Sequence, residues 1–175
     1  MHGASRRAER SATVSVRPQR SRAESSQARH SSYCRRSRRC QFIEGRFPVD
    51  ITHSVTIDCE VTQDGWRRSS LREMLRGRSP LMANKDLRFK VISCTVAHPY
   101  ELKWKVLNRG AEAERRNDIR GQIIGSSQPN ARHERTSFRG EHVVECFVVK
   151  DGVVVARDRI DVPISSASGV SAGVS

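Results

Sequence analysis

Glu141 to Ile164 reads EHVVECFVVKDGVVVARDRIDVPI, and two β-branched runs within it, Val143 to Val149 and Val153 to Ile164, flank Asp151-Gly152. That dipeptide readily takes the positive φ angles of a tight two-residue turn, so the stretch reads as a hairpin. Its first strand is apolar on both parities, with Val143, Phe147 and Val149 on one face and Val144, Cys146 and Val148 on the other. Such a strand should be covered on both sides, as a central strand is. Glu145 shares the face of Val143 and Phe147, and a carboxylate buried there alone is costly, so it requires a partner or a ligand.

Upstream of the hairpin, further strands are expected from period-2 patterning. Val49 to Thr62 alternates nearly without fault, placing Val49, Ile51, His53, Val55, Ile57, Cys59 and Val61 on a buried face. His53 there reads as a satisfied structural histidine. Gln63-Asp64-Gly65 turns the chain, and Ser70-Leu71-Arg72-Glu73 is a capping box opening a short helix with Leu71, Met74 and Leu75 inward and Gly77 as its stop. Leu87, Phe89 and Val91 alternate before the apolar phase passes to Ile92, Cys94 and Val96, which implies a bulge or a strand covered twice. His98-Pro99-Tyr100 breaks that run. Leu102 to Leu107 buries Leu102, Trp104 and Val106 with Lys103 and Lys105 outward, and Asn108-Arg109-Gly110 turns out of it. Ala111 to Asn117 suits a helical turn or a loop, Ile119 to Ile124 a short strand, Ser126 to His133 a loop, and Thr136 to Phe138 a strand leading through Gly140 into the hairpin. Many short strands, regular turns and little helix predict an all-β fold, an immunoglobulin-like β-sandwich with one short helix and a disordered basic N-terminal tail.

The chain of 175 residues is 36% hydrophobic but only 5% aromatic, and its net charge of +13 is concentrated at the start. Eleven arginines between Arg6 and Arg39 face only Glu9 and Glu24. Residues 1–43 therefore read as a disordered Arg/Ser-rich tail, 44–165 as the sandwich and 166–175 as a second disordered tail. Without interleaved aromatics the basic tract implies only nonspecific attraction to polyanions. Its composition also resembles a transit peptide, or an upstream stretch outside the true reading frame start. No apolar run reaches the length of a membrane span, no secretory signal is visible, and scattered cysteines suit a reducing, cytoplasmic setting. His30, Cys34 and Cys40 match no zinc spacing, so no metal site is expected.

Phe89-Lys-Val, Pro99-Tyr100, Trp104-Lys-Val-x-Asn108-x-Gly110-x-Glu112-Ala113, Ile119-Arg120-Gly121, Arg132-x-Glu134-x-Thr136-x-x-x-Gly140-x-His142-x-Val144-Glu145 and Val155-Ala156-Arg157 together resemble the adenylyl/guanylyl and SMODS C-terminal sensor domain. With Ser54-Val-Thr-Ile-Asp-Cys, Gly65 and Leu71-Arg72, the resemblance spans roughly residues 47 to 164. It implies a domain that follows a nucleotidyltransferase making oligonucleotide second messengers in prokaryotic antiphage systems, and that senses a nucleotide or another invasion signal. A nucleotidyltransferase needs a Gly-Ser turn followed by paired carboxylates for Mg²⁺. Gly125-Ser126 is followed by Ser-Gln-Pro-Asn, so that module is expected to be absent and the output to pass to a nucleotidyltransferase or effector acting in trans.

No Walker loop, dinucleotide glycine motif, G-x-S-x-G elbow or H-E-x-x-H occurs, so no catalytic residue, cofactor or enzymatic activity is expected. Asp158 and Asp161, three apart on a strand, fall on opposite faces and cannot share a metal. The candidate ligand site is Arg120, Arg132, Glu134, Thr136, His142 and Glu145: arginine forks and a histidine can hold phosphate, and carboxylates can accept from a base or ribose. Trp104 or Tyr100 could stack a base if exposed. The same residues equally describe a structural network in which Arg120 or Arg132 pairs Glu145 and Trp104 fills the core. Two functions follow, a nucleotide or second-messenger sensor and a protein-interaction sandwich with no small-molecule ligand.

Overall fold

A computed structural model describes residues 40–63, 67–126 and 130–165. The expectations for the basic tract before Cys40, the turn at Asp64-Gly65 and the tail 166–175 lie outside the described residues. Nine strands form two sheets: β1 (Val55–Gln63), β2 (Arg67–Ser70), β3 (Leu81–Met82), β4 (Asp86–Cys94), β5 (Glu101–Leu107), β6 (Ile123–Gly125), β7 (Ala131–Arg135), β8 (Gly140–Lys150) and β9 (Val153–Ser165). One sheet runs β2-β1-β4-β7, the other β3-β9-β8-β5-β6. The fold is all-β, with two short helices, α1 (Leu71–Arg76) and α2 (Ala111–Arg115), where one was expected, and a 3-10 turn at Ile43–Gly45.

The hairpin is β8 and β9, turning at Asp151 (φ 51°) and Gly152 (φ 78°), two successive left-handed residues as a primed turn requires. β8 lies at the centre of the five-stranded sheet. Its even face packs Val144, Cys146 and Val148 with Trp104, Val106, Ala156 and Ile160 against Ile57, Cys59, Val61, Leu87 and Phe89 of the other sheet, one continuous core. Trp104 is fully buried, and its Nε1 donates to Ser126 Oγ at 2.8 Å. The odd face of β8 has its own cover: Ile43 and Phe47 pack with Phe147, Val149, Ile123 and Val154. The packed chain thus reaches back to Cys40, upstream of the expected boundary at residue 44.

α1 carries the expected capping box, with Ser70 Oγ accepting from the Glu73 amide and Gly77 at the C-cap. It buries Leu71 and Met74, but Leu75 is exposed rather than inward. The phase shift in β4 is a bulge: Val91 faces Ile57 and Ser93 faces Thr56, leaving Ile92 as the extra, exposed residue.

Several local expectations are corrected. The alternating run begins its strand at Val55, not Val49. Residues 48–53 instead follow β9, with Val154 N–H donating to Pro48 O at 2.9 Å and the amides of Asp50, Thr52 and His53 donating to Val154 and Val155 at 3.0–3.1 Å. Val49, Ile51 and His53 are exposed there, because this segment runs along the edge of one sheet before the chain crosses to the other. The strand expected at Thr136–Phe138 is β7, five residues earlier in start, beginning inside the stretch read as a loop and ending at Arg135. Of Ile119–Ile124 only the end is strand. Tight spacing also explains Gly140, which lies in β8 rather than in a turn: a Cβ there would sit 2.6 Å from Arg109 O.

The crossing of β1 is locked by Asp158 of β9, whose Oδ2 accepts from the Ile57 amide at 2.9 Å and from Arg72 Nη2 at 3.4 Å, while Arg72 also donates to Ile57 O at 2.9 and 3.1 Å. The two peptide units flanking Ile57 are thereby held from β9 and from α1. Asp158→Ala should leave the Ile57 N–H without its acceptor and cost about 1–3 kcal/mol. Urea denaturation should show a lower midpoint at unchanged m value.

Candidate functional site

Outer-face parity on the five-stranded sheet builds a grid. The register sets Lys105, Glu145 and Arg159 side by side in one row and Lys103, Phe147 and Arg157 in the next. Lys105 Nζ lies 3.3 Å from Glu145 Oε2, and the lysine is only 3% exposed. Its cover is the segment 40–47: the Phe42 ring centroid is 5.3 Å from Lys105 Nζ, within cation–π range. That segment is pinned to the strand at the sheet's far edge. Gln41 N–H donates to Gly121 O at 2.9 Å, Gln41 Oε1 accepts from the Ile123 amide at 2.9 Å, and Arg46 Nη1 donates to Ile123 O at 2.7 Å. Gly121 permits the approach, since a Cβ there would meet Cys40 Sγ at 2.8 Å.

Between this cover and the sheet lies a cleft of about 400 Å³, lined by Phe42, Ile43, Glu44, Lys105, Glu145, Phe147, Arg157, Asp158 and Arg159. Its size falls in the range of small-molecule sites. Arg157 contacts Glu44 at 3.6 Å and Arg159 contacts Asp161 at 2.8 Å. The cleft therefore combines three cations, three carboxylates and an aromatic ring that is 41% exposed.

Of the six residues expected to bind a ligand, five gather elsewhere, at one end of the sandwich. Glu134 receives Arg120 through two bonds of 2.6 and 3.2 Å and Arg132 through Nε at 2.8 Å. Burial pushes the Glu134 carboxyl up, but the Arg120 and Arg132 guanidiniums outweigh it and hold it below the usual range, while Glu134 raises Arg120. Thr136 is buried, its Oγ1 accepting from the Lys85 amide at 2.7 Å. His142 is 6% exposed, with Nδ1 3.1 Å from Asn108 Oδ1. The Asn108 amide nitrogen donates to Asp118 O and Oδ2, so Oδ1 accepts and Nδ1 carries the ring proton. Nε2 is then a buried acceptor without a partner among the described residues. Arg120, Glu134, Thr136 and His142 border an inter-sheet space of only about 60 Å³, room for a water or two and far too little for a nucleotide.

Glu145 belongs to the opposite face of β8. Arg120 and Arg132 pair Glu134, and the partner expected for Glu145 is Lys105 instead. Sequence reasoning took Lys105 for a solvated residue; that β5 neighbours β8 is what reveals the pair, and periodicity alone does not carry it. Trp104, fully buried, cannot stack a base, and half-buried Tyr100 stacks on His98 at 4.2 Å. Burial raises the thiols of Cys59 and Cys146 well above their ordinary value, which removes them as nucleophiles. Among the described residues no His, Cys, Asp and Glu group is placed to hold a metal, and no helix is long and apolar enough to cross a membrane.

The model of the adenylyl/guanylyl and SMODS C-terminal sensor domain matches residues 37–165. The chain belongs to that family. It is also 33% identical over 69 residues to a cyclic GMP-AMP synthase of Escherichia albertii, a match covering 39% of the chain and about 15% of the relative's length. The family's domain takes in the segment 40–47, so the cover of the cleft is part of the sensor domain itself.

Two measurements check the assignment of partners. In double-mutant cycles Lys105→Met and Glu145→Gln should couple by about 1 kcal/mol or more, as should Arg120→Ala and Glu134→Gln, whereas Arg120→Ala and Glu145→Gln should add. For His142, burial lowers the pKa from its ordinary 6.5, with Arg109 lowering it further and a hydrogen bond at Phe138 and the charge of Asp118 opposing. The unfolded chain then binds the proton first, so stability contributed by the neutral ring is present above pH 6.5 and lost as pH falls toward the depressed value. His142→Gln should flatten the stability profile in that window, while the loss tied to Glu134 remains at lower pH.

Proposed function

We propose that this domain senses a nucleotide or nucleotide-derived second messenger in the cytoplasm, within a prokaryotic antiviral system, and that the ligand sits in the outer-face cleft over β8. Membership in a sensor-domain family and the likeness to a cyclic GMP-AMP synthase support the ligand class. The observation that carries the reading is the cleft of about 400 Å³, lined by Lys105, Arg157 and Arg159 together with the partly exposed ring of Phe42. Arginine forks suit phosphate, an exposed ring suits a base, and Glu44 and Glu145 supply acceptors for base or ribose donors. The role is binding rather than catalysis: nothing in the cleft pairs a nucleophile with a base, and its buried lysine is committed to Glu145.

The test is a thermal-shift screen of the full chain against mono-, di- and cyclic nucleotides at moderate salt. A ligand near 100 times its Kd adds about 2.7 kcal/mol and raises Tm by several degrees. Arg157→Ala should remove that shift without changing the Tm of the unliganded protein, since its ion pair with Glu44 is largely solvated. A shift indifferent to Arg157→Ala would place binding elsewhere, and no shift with any nucleotide would end the reading.

A further inference from the structure

The charges of the cleft cancel. Lys105, Arg157 and Arg159 are balanced by Glu44, Glu145 and Asp158, so the cleft as a whole exerts little net pull on an anion. The sheet wall alone is basic, because every one of these groups but Glu44 stands on β5, β8 or β9, and Glu44 belongs to the covering segment 40–47. Most of the wall is committed to the fold. Lys105 pairs with Glu145, Asp158 accepts from the Ile57 amide and from Arg72, and Arg159, 30% exposed, donates to Asp161 Oδ1 at 2.8 Å. Arg157 is held differently. Its side chain is 43% exposed, and its Nη1 lies 3.6 Å from Oε1 of Glu44, itself 57% exposed. That separation is beyond hydrogen-bonding distance, so the two are joined by charge alone across solvent-accessible space.

The covering segment presents Glu44 from a fixed point. Its neighbour Ile43 is buried with Phe147, Val149 and Val154, and the Arg46 and Phe47 amides close the turn by donating to Ile43 O at 3.0 and 2.9 Å. The backbone is held, and only the carboxylate at the end of its side chain is left to move. We propose that Glu44 is a built-in competitor for the ligand's phosphate: it neutralises Arg157 until a phosphate takes the guanidinium with two parallel bonds, and then turns out to solvent. This rests on the nucleotide reading of the cleft and assigns what that site demands of its ligand. Competition weakens every phosphate ligand by the same factor. Free phosphate, which brings no other contact, is the one it keeps out, whereas a nucleotide adds a base against the apolar surface of Phe42, Ile43 and Phe147.

Isothermal titration of the full chain with guanosine, adenosine, their 5′-monophosphates and inorganic phosphate tests it, on the wild-type protein, Glu44→Gln and Asp86→Asn. Asp86 is an exposed carboxylate of the other sheet, so its variant makes the same change in net charge away from the cleft. Glu44→Gln should bind one of the monophosphates about threefold or more tightly than wild type, as fits the loss of one exposed ion pair. The nucleosides and the Tm of the unliganded protein should be unaffected, and Asp86→Asn should match wild type throughout. A monophosphate that binds wild type and Glu44→Gln equally overturns the competitor and leaves the nucleotide site intact, as does an equal gain in Asp86→Asn or a gain shared by the nucleosides. Absence of nucleotide binding in all three proteins overturns the site along with the competitor.

Discussion

A strand apolar on both faces has to be covered twice, and the architecture follows from meeting that need for β8. The four-stranded sheet covers its even face through the inter-sheet core. Over the odd face lies the segment 40–47, with Ile43 and Phe47 as its apolar contacts. A strap is narrower than a sheet. It buries Phe147 and Val149 but leaves the flank toward β9 open, and the cleft is the part of the outer face that the strap does not fill.

The same geometry explains the charge pattern. Lys105 and Glu145 face one another beneath the strap because β5 and β8 are neighbours in register. Burying either alone would leave an uncompensated charge; burying both, with Phe42 over the ammonium, lowers that cost. On β9 the next residues in the grid are beyond the strap's reach, so Arg157 and Arg159 keep solvent-facing partners. The buried pair and the solvated pair lie one strand apart, and the difference is set by how far eight residues of covering chain extend.

Much of this was legible in the sequence where the signal is local. Asp151-Gly152, the Ser70 capping box, the phase change at Ile92 and the core role of Trp104 each depend on a few adjacent residues, and each stands as read. Relations between strands were not legible. Period-2 alternation says which residues share a face but not which strand lies beside them, so from sequence Lys105 reads as solvated and Arg120 or Arg132 as the partner of Glu145. Val49, Ile51 and His53 continue the alternation of β1 but belong to the edge of the other sheet, because an unbroken pattern does not record where a chain changes layers. The loop-like composition of Ser126 to His133 hid β7, whose pairing with β4 runs through polar residues that carry little strand signal.

The division of the six candidate residues was nonetheless present in their numbers. His142 and Glu145 are three apart on one strand, so they leave opposite faces of the sheet and cannot meet one ligand that stays on either side. Once that is granted, the charge already spent at each place decides between them. At the sandwich end Glu134 holds Arg120 and Arg132 by short, partly buried bonds, and His142 is turned to Asn108, so a phosphate entering there would have to break a network that joins the two sheets. On the outer face Arg157 keeps a partner, Glu44, that is itself about half exposed. The residues that most resembled a binding constellation hold the sandwich together, and the more solvated ion pair lies where the covering strap leaves the sheet open.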